Sequence, residues 1–205
     1  SDIKEKVKDI IYDVKENRDK ALVKFSKKYD NYDINDAKEL EVKKEKFSQA
    51  IKKITKDELK ALQFAKNRIE EFAFHQKSKS WDYSSEGITL GEKITPIDKA
   101  GIYVPGGSAV YPSSVLMNSI PAKVAGVREI IMVVPSPHGE INDLVLAAAY
   151  LGGVDRVFRI GGAHAIAALA YGTNTIPKVN MIVGPGNQYV AEAKKELYGE
   201  VGIDS

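Results

Sequence analysis

Four apolar runs, Ile102-Tyr-Val104, Ile130-Ile-Met-Val-Val134, Val157-Phe-Arg-Ile160 and Met181-Ile-Val183, recur through the second half of the 205-residue chain. Segments with helical spacing follow each run in turn: Ser114–Ala125, Asp143–Leu151, His164–Tyr171 and Tyr189–Tyr198. Strand and helix in strict alternation leave few options, because parallel strands need long crossovers and those crossovers are right-handed. The runs are almost continuously apolar, as strands covered by helices on both faces must be. The pattern predicts an α/β fold with a parallel sheet over residues 100–205.

The first 99 residues read differently. Ile3, Val7, Ile10, Ile11, Val14, Leu22 and Phe25 follow helical spacing, with Asn17 as a possible break between two helices. A second helical region starts near Lys43. Within it Thr55-Lys-Asp-Glu58 has capping-box spacing, and Leu59, Leu62, Ile69 and Phe72 form the expected buried stripe. Trp81-Asp-Tyr83, Gly87-Ile-Thr-Leu90 and Lys93-Ile-Thr95, with Gly91 between the last two, read as short strands. The expected division is therefore a mainly helical N-terminal region with a few short strands, 1–99, and the sheet domain, 100–205.

Composition narrows the function classes. Lys+Arg 30 against Asp+Glu 28 gives a net charge of +2, so charge offers no argument for nucleic acid or an anionic membrane as partner. Cysteine is absent, which removes disulfides and thiolate metal sites and fits a reducing compartment. No apolar run approaches a membrane span and no leader opens the chain, so the expected location is the cytoplasm. The chain opens at Ser1-Asp2-Ile3 without methionine and closes on Val201-Gly-Ile-Asp-Ser205, the start of a strand; both ends read as cut.

Each apolar run ends in turn residues: Val104-Pro-Gly-Gly-Ser108, Val134-Pro-Ser-Pro-His138, Ile160-Gly-Gly-Ala-His164 and Val183-Gly-Pro-Gly-Asn187. In a parallel sheet these loops share one edge, and ligands of open α/β sheets bind beyond the carboxyl ends of the strands. Gly106 and Gly107 let backbone N–H groups approach a ligand closely, and a helix N-terminus behind them favours phosphate. The Gly-x-Gly-x-x-Gly dinucleotide fingerprint is missing, since Tyr189 falls where the third glycine belongs after Gly184 and Gly186, and there is no Gly-Lys-Ser/Thr phosphate loop. A nucleotide would have to be held by backbone N–H groups and a few polar tips, for which Tyr103, Ser108, His164, Asn187 and Gln188 are the candidates.

Each tip has a plainer alternative. Tyr103 is either a core aromatic with its hydroxyl at the rim or a ligand contact. Asn187 is either a helix N-cap or a ligand contact. His164, opening a helix of small residues, either bonds nearby backbone or faces a ligand, in the latter case as the neutral imidazole that a helix N-terminus prefers. His75 reads as a polar helix end and His138 as an exposed turn residue. The three histidines show no metal-ligand spacing, so no metal site is expected from this chain.

Gly101–Asn118, Ile120–Val127, Gly161-Gly-Ala-His-Ala-Ile-Ala-Ala-Leu-Ala-Tyr-Gly172 and Val183–Lys194 together resemble the histidinol dehydrogenase family, and Phe74-His-Gln76 extends the match weakly toward the N-terminus. The resemblance covers essentially the whole chain. It implies oxidation of L-histidinol to L-histidine with NAD at the end of histidine biosynthesis, by a zinc-containing homodimer. It implies an incomplete Rossmann-like topology on the NAD side. NAD contacts would fall on Tyr103, on His164, where relatives carry glutamine, and on Asn187; Gly106, Gly107 and Gly186 of the strand-end loops complete the expected cofactor-binding set. Because histidine can titrate where glutamine cannot, His164→Gln is expected to flatten any pH dependence of NAD affinity between about pH 5 and 8. The family's substrate-binding residues, zinc ligands and Glu-His acid/base pair would lie beyond Ser205, so the resemblance implies a fragment that does not turn over. The alternatives are a non-catalytic nucleotide-binding module, or an assembly domain whose N-terminal helices pack against a partner.

Overall fold

A computed structural model describes residues 2–77, 81–85, 88–92, 97–106 and 111–204. Charged residues with an apolar stripe make α1 (Asp2–Asn17) and α2 (Asp19–Asp30), which bury Val7, Ile10, Ile11, Val14, Leu22 and Phe25 as the spacing requires. The break falls at Arg18, one residue past Asn17, whose φ of 52 turns the chain through the left-handed region. The Arg18 guanidinium donates to the carbonyls of Tyr171 (3.2 Å) and Gly172 (2.6 Å), and Asp19 accepts from the Thr175 hydroxyl at 2.8 Å. These bonds tie the α1–α2 corner to a helix more than 150 residues away in sequence.

A two-residue strand β1 (Glu41–Val42) follows, then α3 (Glu45–Lys53), α4 (Lys56–Gln76), and an antiparallel hairpin of β2 (Trp81–Ser85) and β3 (Ile88–Glu92). Gly91 lies inside β3, paired with Asp82. The strand expected at 93–95 lies outside the described residues. The alternating series then runs β4 (Lys99–Tyr103), α5 (Pro112–Val124), β5 (Glu129–Val133), α6 (Asp143–Leu151), β6 (Arg156–Phe158), α7 (Gly162–Tyr171), β7 (Met181–Val183), α8 (Gln188–Glu196) and β8 (Gly202–Ile203).

The main sheet has the order β1-β6-β5-β4-β7-β8. All neighbours are parallel except β1, an antiparallel edge strand that the sequence pattern does not announce. Arg156 on β6 holds it with two hydrogen bonds to Glu41, at 2.7 and 2.8 Å. The chain winds outward from β4 through β5 to β6, returns to β4's other side, and continues through β7 to β8. The reversal between β4 and β7 is the switch point of a doubly wound α/β sheet.

Alternation along the central strands divides the interior. Ala100, Ile102, Val104, Ile130, Met132 and Val157 pack on one face with α3 to α6, while Tyr103, Ile131, Val133 and Phe158 pack on the other with α1, α2, α7 and α8. Both cores draw residues from either side of position 99. α7 presses close to β4, since a Cβ at Gly101 would stand 2.9 Å from Leu169 Cδ1.

The α4 stripe departs from its expected form. Leu62 and Ala73 are buried and Leu59 and Ile69 half-buried, whereas Phe72 is 65% exposed, with Phe64 and Phe74 exposed beside it. The helix packs on α5 and leaves these three aromatics exposed.

Thr55 caps α4 as its spacing predicts: its hydroxyl accepts the Glu58 N–H at 3.0 Å and Glu58 accepts the Thr55 N–H at 2.8 Å. Thr55→Ala should lower unfolding stability by about 1 kcal/mol in urea titration, and an unchanged midpoint would contradict the cap's contribution.

Candidate functional site

The carboxyl ends of β4, β6 and β7 open into a cavity of about 370 Å³ on the α1/α7 face, beside the switch point. Tyr103 supplies one wall, and the α7 start supplies another through Gly161, Gly162, Ala163 and His164. Asn187 enters from the end of the β7–α8 loop and Tyr189 from the first turn of α8, Pro135 from the loop after β5, and Lys6, Ile10, Tyr29 and Asp30 from α1 and α2. The sequence candidates Tyr103, His164 and Asn187 therefore meet in one place.

Tyr103 is 2% exposed and its hydroxyl accepts the Gly162 N–H at 2.9 Å. Burial pushes the phenol up to about 12, with the nearby Asp30 charge adding to the effect and the Gly162 bond opposing it. The group is protonated at neutral pH and keeps an O–H to donate. Tyr103 is thus a core aromatic with its hydroxyl at the cavity rim, the plainer of the two alternatives its sequence position offers.

His164 is packed against rings. Phe25 lies 5.4 Å and Tyr29 5.8 Å from its centroid, and Nε2 is buried without a hydrogen-bond partner among the described residues. Burial pushes the imidazolium down to about 3, so the neutral form expected from the helix N-terminus is enforced mainly by desolvation. The expectation that His164 titrates between pH 5 and 8 is thereby overturned, because two α2 rings exclude the water that a cation would need.

Asn187 is the N-cap of α8, its Oδ1 accepting the N–H groups of Tyr189 and Val190, both at 3.0 Å. The cap uses the oxygen and leaves the amide NH₂, at the cavity, to donate. Gly184, just before it, is held from behind: Lys194 Nζ donates to its carbonyl at 2.6 Å and to Asp204 Oδ1 at 2.8 Å, while Asp204 Oδ2 accepts its N–H at 2.8 Å. Lys194 is 6% exposed, and the clamp fixes the turn that presents Asn187.

The glycines serve packing as well as access. A Cβ on Gly106 would run into the Pro135 carbonyl oxygen, one on Gly161 into the Pro135 ring, and one on Gly186 into Val190 at 2.6 Å. Pro135 thus wedges the loops after β4 and β6 together. Gly106 and Gly186 stand outside the cavity lining, as does exposed Gln188; Gly107 and Ser108 lie outside the described residues. His75 and His138 are both exposed and outside the lining, His138 in a short 3-10 turn with φ 58.

Lys6, Tyr29, Asp30 and Tyr189 are lining residues that sequence reasoning missed. Lys6 Nζ sits 5.7 Å above the Tyr29 ring and 5.6 Å above the Tyr189 ring, bringing a cation to the cavity mouth. The only hint was the helical spacing that brings Lys6 and Ile10 to one face of α1. A larger hollow of about 730 Å³ lies on the opposite face of the sheet, between α4 and α5, and is lined by Ile69, Phe72, Met117 and Pro121. Its lining comes from α4 and α5 and none of it from a loop that follows a strand, so the smaller cavity is the candidate site. No group of three or more His, Cys, Asp or Glu side chains suited to a metal ion occurs among the described residues. No helix among them is long and apolar enough to cross a membrane.

Comparison with known proteins follows the same direction. A family model for histidinol dehydrogenase matches residues 1–205. The chain is 54% identical over 203 residues to the histidinol dehydrogenase of Pseudomonas savastanoi pv. phaseolicola, covering 98% of this chain and 45% of that protein. It is 55% identical over 205 residues to that of Methylococcus capsulatus, covering 100% of this chain and 47% of that protein. The crystal structure of histidinol dehydrogenase from Elizabethkingia anophelis aligns with a TM-score of 0.93 at 36% identity, over 100% of this chain and 47% of that one. The chain spans about half the length of the curated relatives it matches.

Two measurements test the site's physics. A base whose folded pKa is depressed binds its proton more readily unfolded, so His164 should reduce stability as pH falls from about 6.5 toward 3, by up to about 1.4 kcal/mol per pH unit. His164→Gln should remove that part of the slope, and parallel profiles for the two proteins would contradict it. Lys194→Met strands the Gly184 carbonyl and Asp204, and should lower stability by about 1–3 kcal/mol in denaturant unfolding; a neutral result would show that the clamp does not hold the loop.

Proposed function

The chain belongs to the histidinol dehydrogenase family, and from that premise we propose that it forms the NAD-holding part of an enzyme that oxidises L-histidinol to L-histidine. The observation that carries this reading is the switch-point cavity. Its lining residues include two with buried polar atoms that lack partners among the described residues, His164 Nε2 and Asp30 Oδ2. A dinucleotide rich in donors and acceptors fits that set.

When bound, NAD accepts hydride from the carbon undergoing oxidation. This chain's residues bind and orient it. Tyr103 would donate its O–H, Asn187 would donate from its amide, and neutral His164 would offer a hydrogen-bonding nitrogen. The α7 N-terminus and Lys6 favour a diphosphate, and the Gly161-Gly162 pair permits close backbone approach.

The zinc of the family finds no ligand set among the described residues, so no metal step is assigned to them. The proposal gives zinc binding, substrate binding and the glutamate-histidine proton transfers to the half of the relatives' length that this chain does not span. It also takes the working protein to be a cytoplasmic homodimer. Three exposed aromatics on α4, Phe64, Phe72 and Phe74, favour an assembly role for the N-terminal helices alongside cofactor binding.

The test is a comparison of NADH formation from histidinol, with zinc supplied, by residues 1–205 and by the full-length polypeptide. The expected result is turnover by the full-length protein alone. Turnover by residues 1–205 would overturn the division of labour, and no turnover by either would overturn the activity.

A further inference from the structure

Asp30 is a carboxylate that the fold does not explain. It is the last residue of α2, where the helix dipole disfavours an anion. Its Oδ2 is buried with no hydrogen-bond partner among the described residues, and no ion pair joins it to any of them. Burial accordingly pushes its pKa up, and its charge reaches Tyr103 across the cavity that both residues line. An uncompensated carboxylate in such a place weakens the native state unless something from outside supplies donors.

We propose that Asp30 accepts hydrogen bonds from the vicinal hydroxyls of a dinucleotide ribose and selects against a sugar carrying a 2′-phosphate. The inference rests on the cofactor reading above and adds a specificity determinant to it. The chemistry is matched: a diol presents two donors, and an ionised carboxyl group presents only acceptors. Position selects the ribose over other donor groups. The Gly161-Gly162 start of α7 and the Lys6 ammonium line the same cavity and favour the diphosphate, and in a dinucleotide the group bonded directly to each phosphate is a ribose. A 2′-phosphate would bring a second anion against a partly desolvated carboxylate, where like charges repel most strongly. The sequence conceals this role, because Asp30 reads as one more charge on a solvated helix.

Calorimetric titration of the full-length polypeptide with NAD and with NADP tests the assignment. The unmodified protein should bind NAD at least about tenfold more tightly than NADP. Asp30→Asn and Asp30→Ala should each weaken NAD binding by about tenfold or more and shrink the NAD-to-NADP ratio. Equal affinity of the unmodified protein for the two dinucleotides would overturn the proposal, whether or not the variants fold. So would folded variants with unchanged NAD affinity, or variants that weaken NAD and NADP alike. The cofactor reading fails separately: if the unmodified protein does not bind NAD, or binds it with no dependence on Tyr103→Phe and Asn187→Ala, the cavity is not the dinucleotide site and the role given to Asp30 falls with it.

Discussion

β4 has a hydrogen-bonded neighbour on each side and helices on both faces, and every other element takes its place from that enclosure. Gly101 lets Leu169 of α7 sit close to the strand, Ile102 goes to the opposite core, and Tyr103 returns to the α7 side with its hydroxyl bonded to Gly162. Three successive residues thus set the spacing between sheet and helix, divide the two cores and bring the start of α7 to the strand end. Because the winding reverses beside this strand, Tyr103 at its end becomes a wall of the cavity.

The cavity's outer wall is built by a different device. Arg18 and Asp19 tie the corner between α1 and α2 to the end of α7 and to Thr175, which sets Phe25 and Tyr29 against His164. Aromatic packing then decides the chemistry, since it denies water to the imidazole and holds it neutral. The electrostatic character of the site is therefore determined as much by the N-terminal helices as by the strand-end loops.

The sheet was legible because its strands carry continuous apolar runs ending in glycine or proline turns, a pattern that local physics imposes on any strand covered on both faces. β1 escaped notice because two residues, Glu41 and Val42, show no period, and their strand pairing comes from Arg156, over a hundred positions away. Phe72 was misplaced because spacing reports which residues share a helix face but not how much of that face a neighbour covers. Among the site residues, Tyr103, His164 and Asn187 were legible as polar tips at strand ends. The titration of His164 was not, because its pKa depends on rings from α2 that no local pattern connects to it. Asp30 and Lys6 were invisible for the same reason: their significance lies in where α1 and α2 dock.

The central claim is that the cavity between the ends of β4 and β7 holds NAD. A crystal structure of the full-length polypeptide with NAD tests it most directly. The account predicts dinucleotide density against Tyr103, His164 and Asn187, with the diphosphate at the start of α7. Density in the apolar hollow between α4 and α5, or elsewhere with this cavity filled by solvent alone, would contradict it.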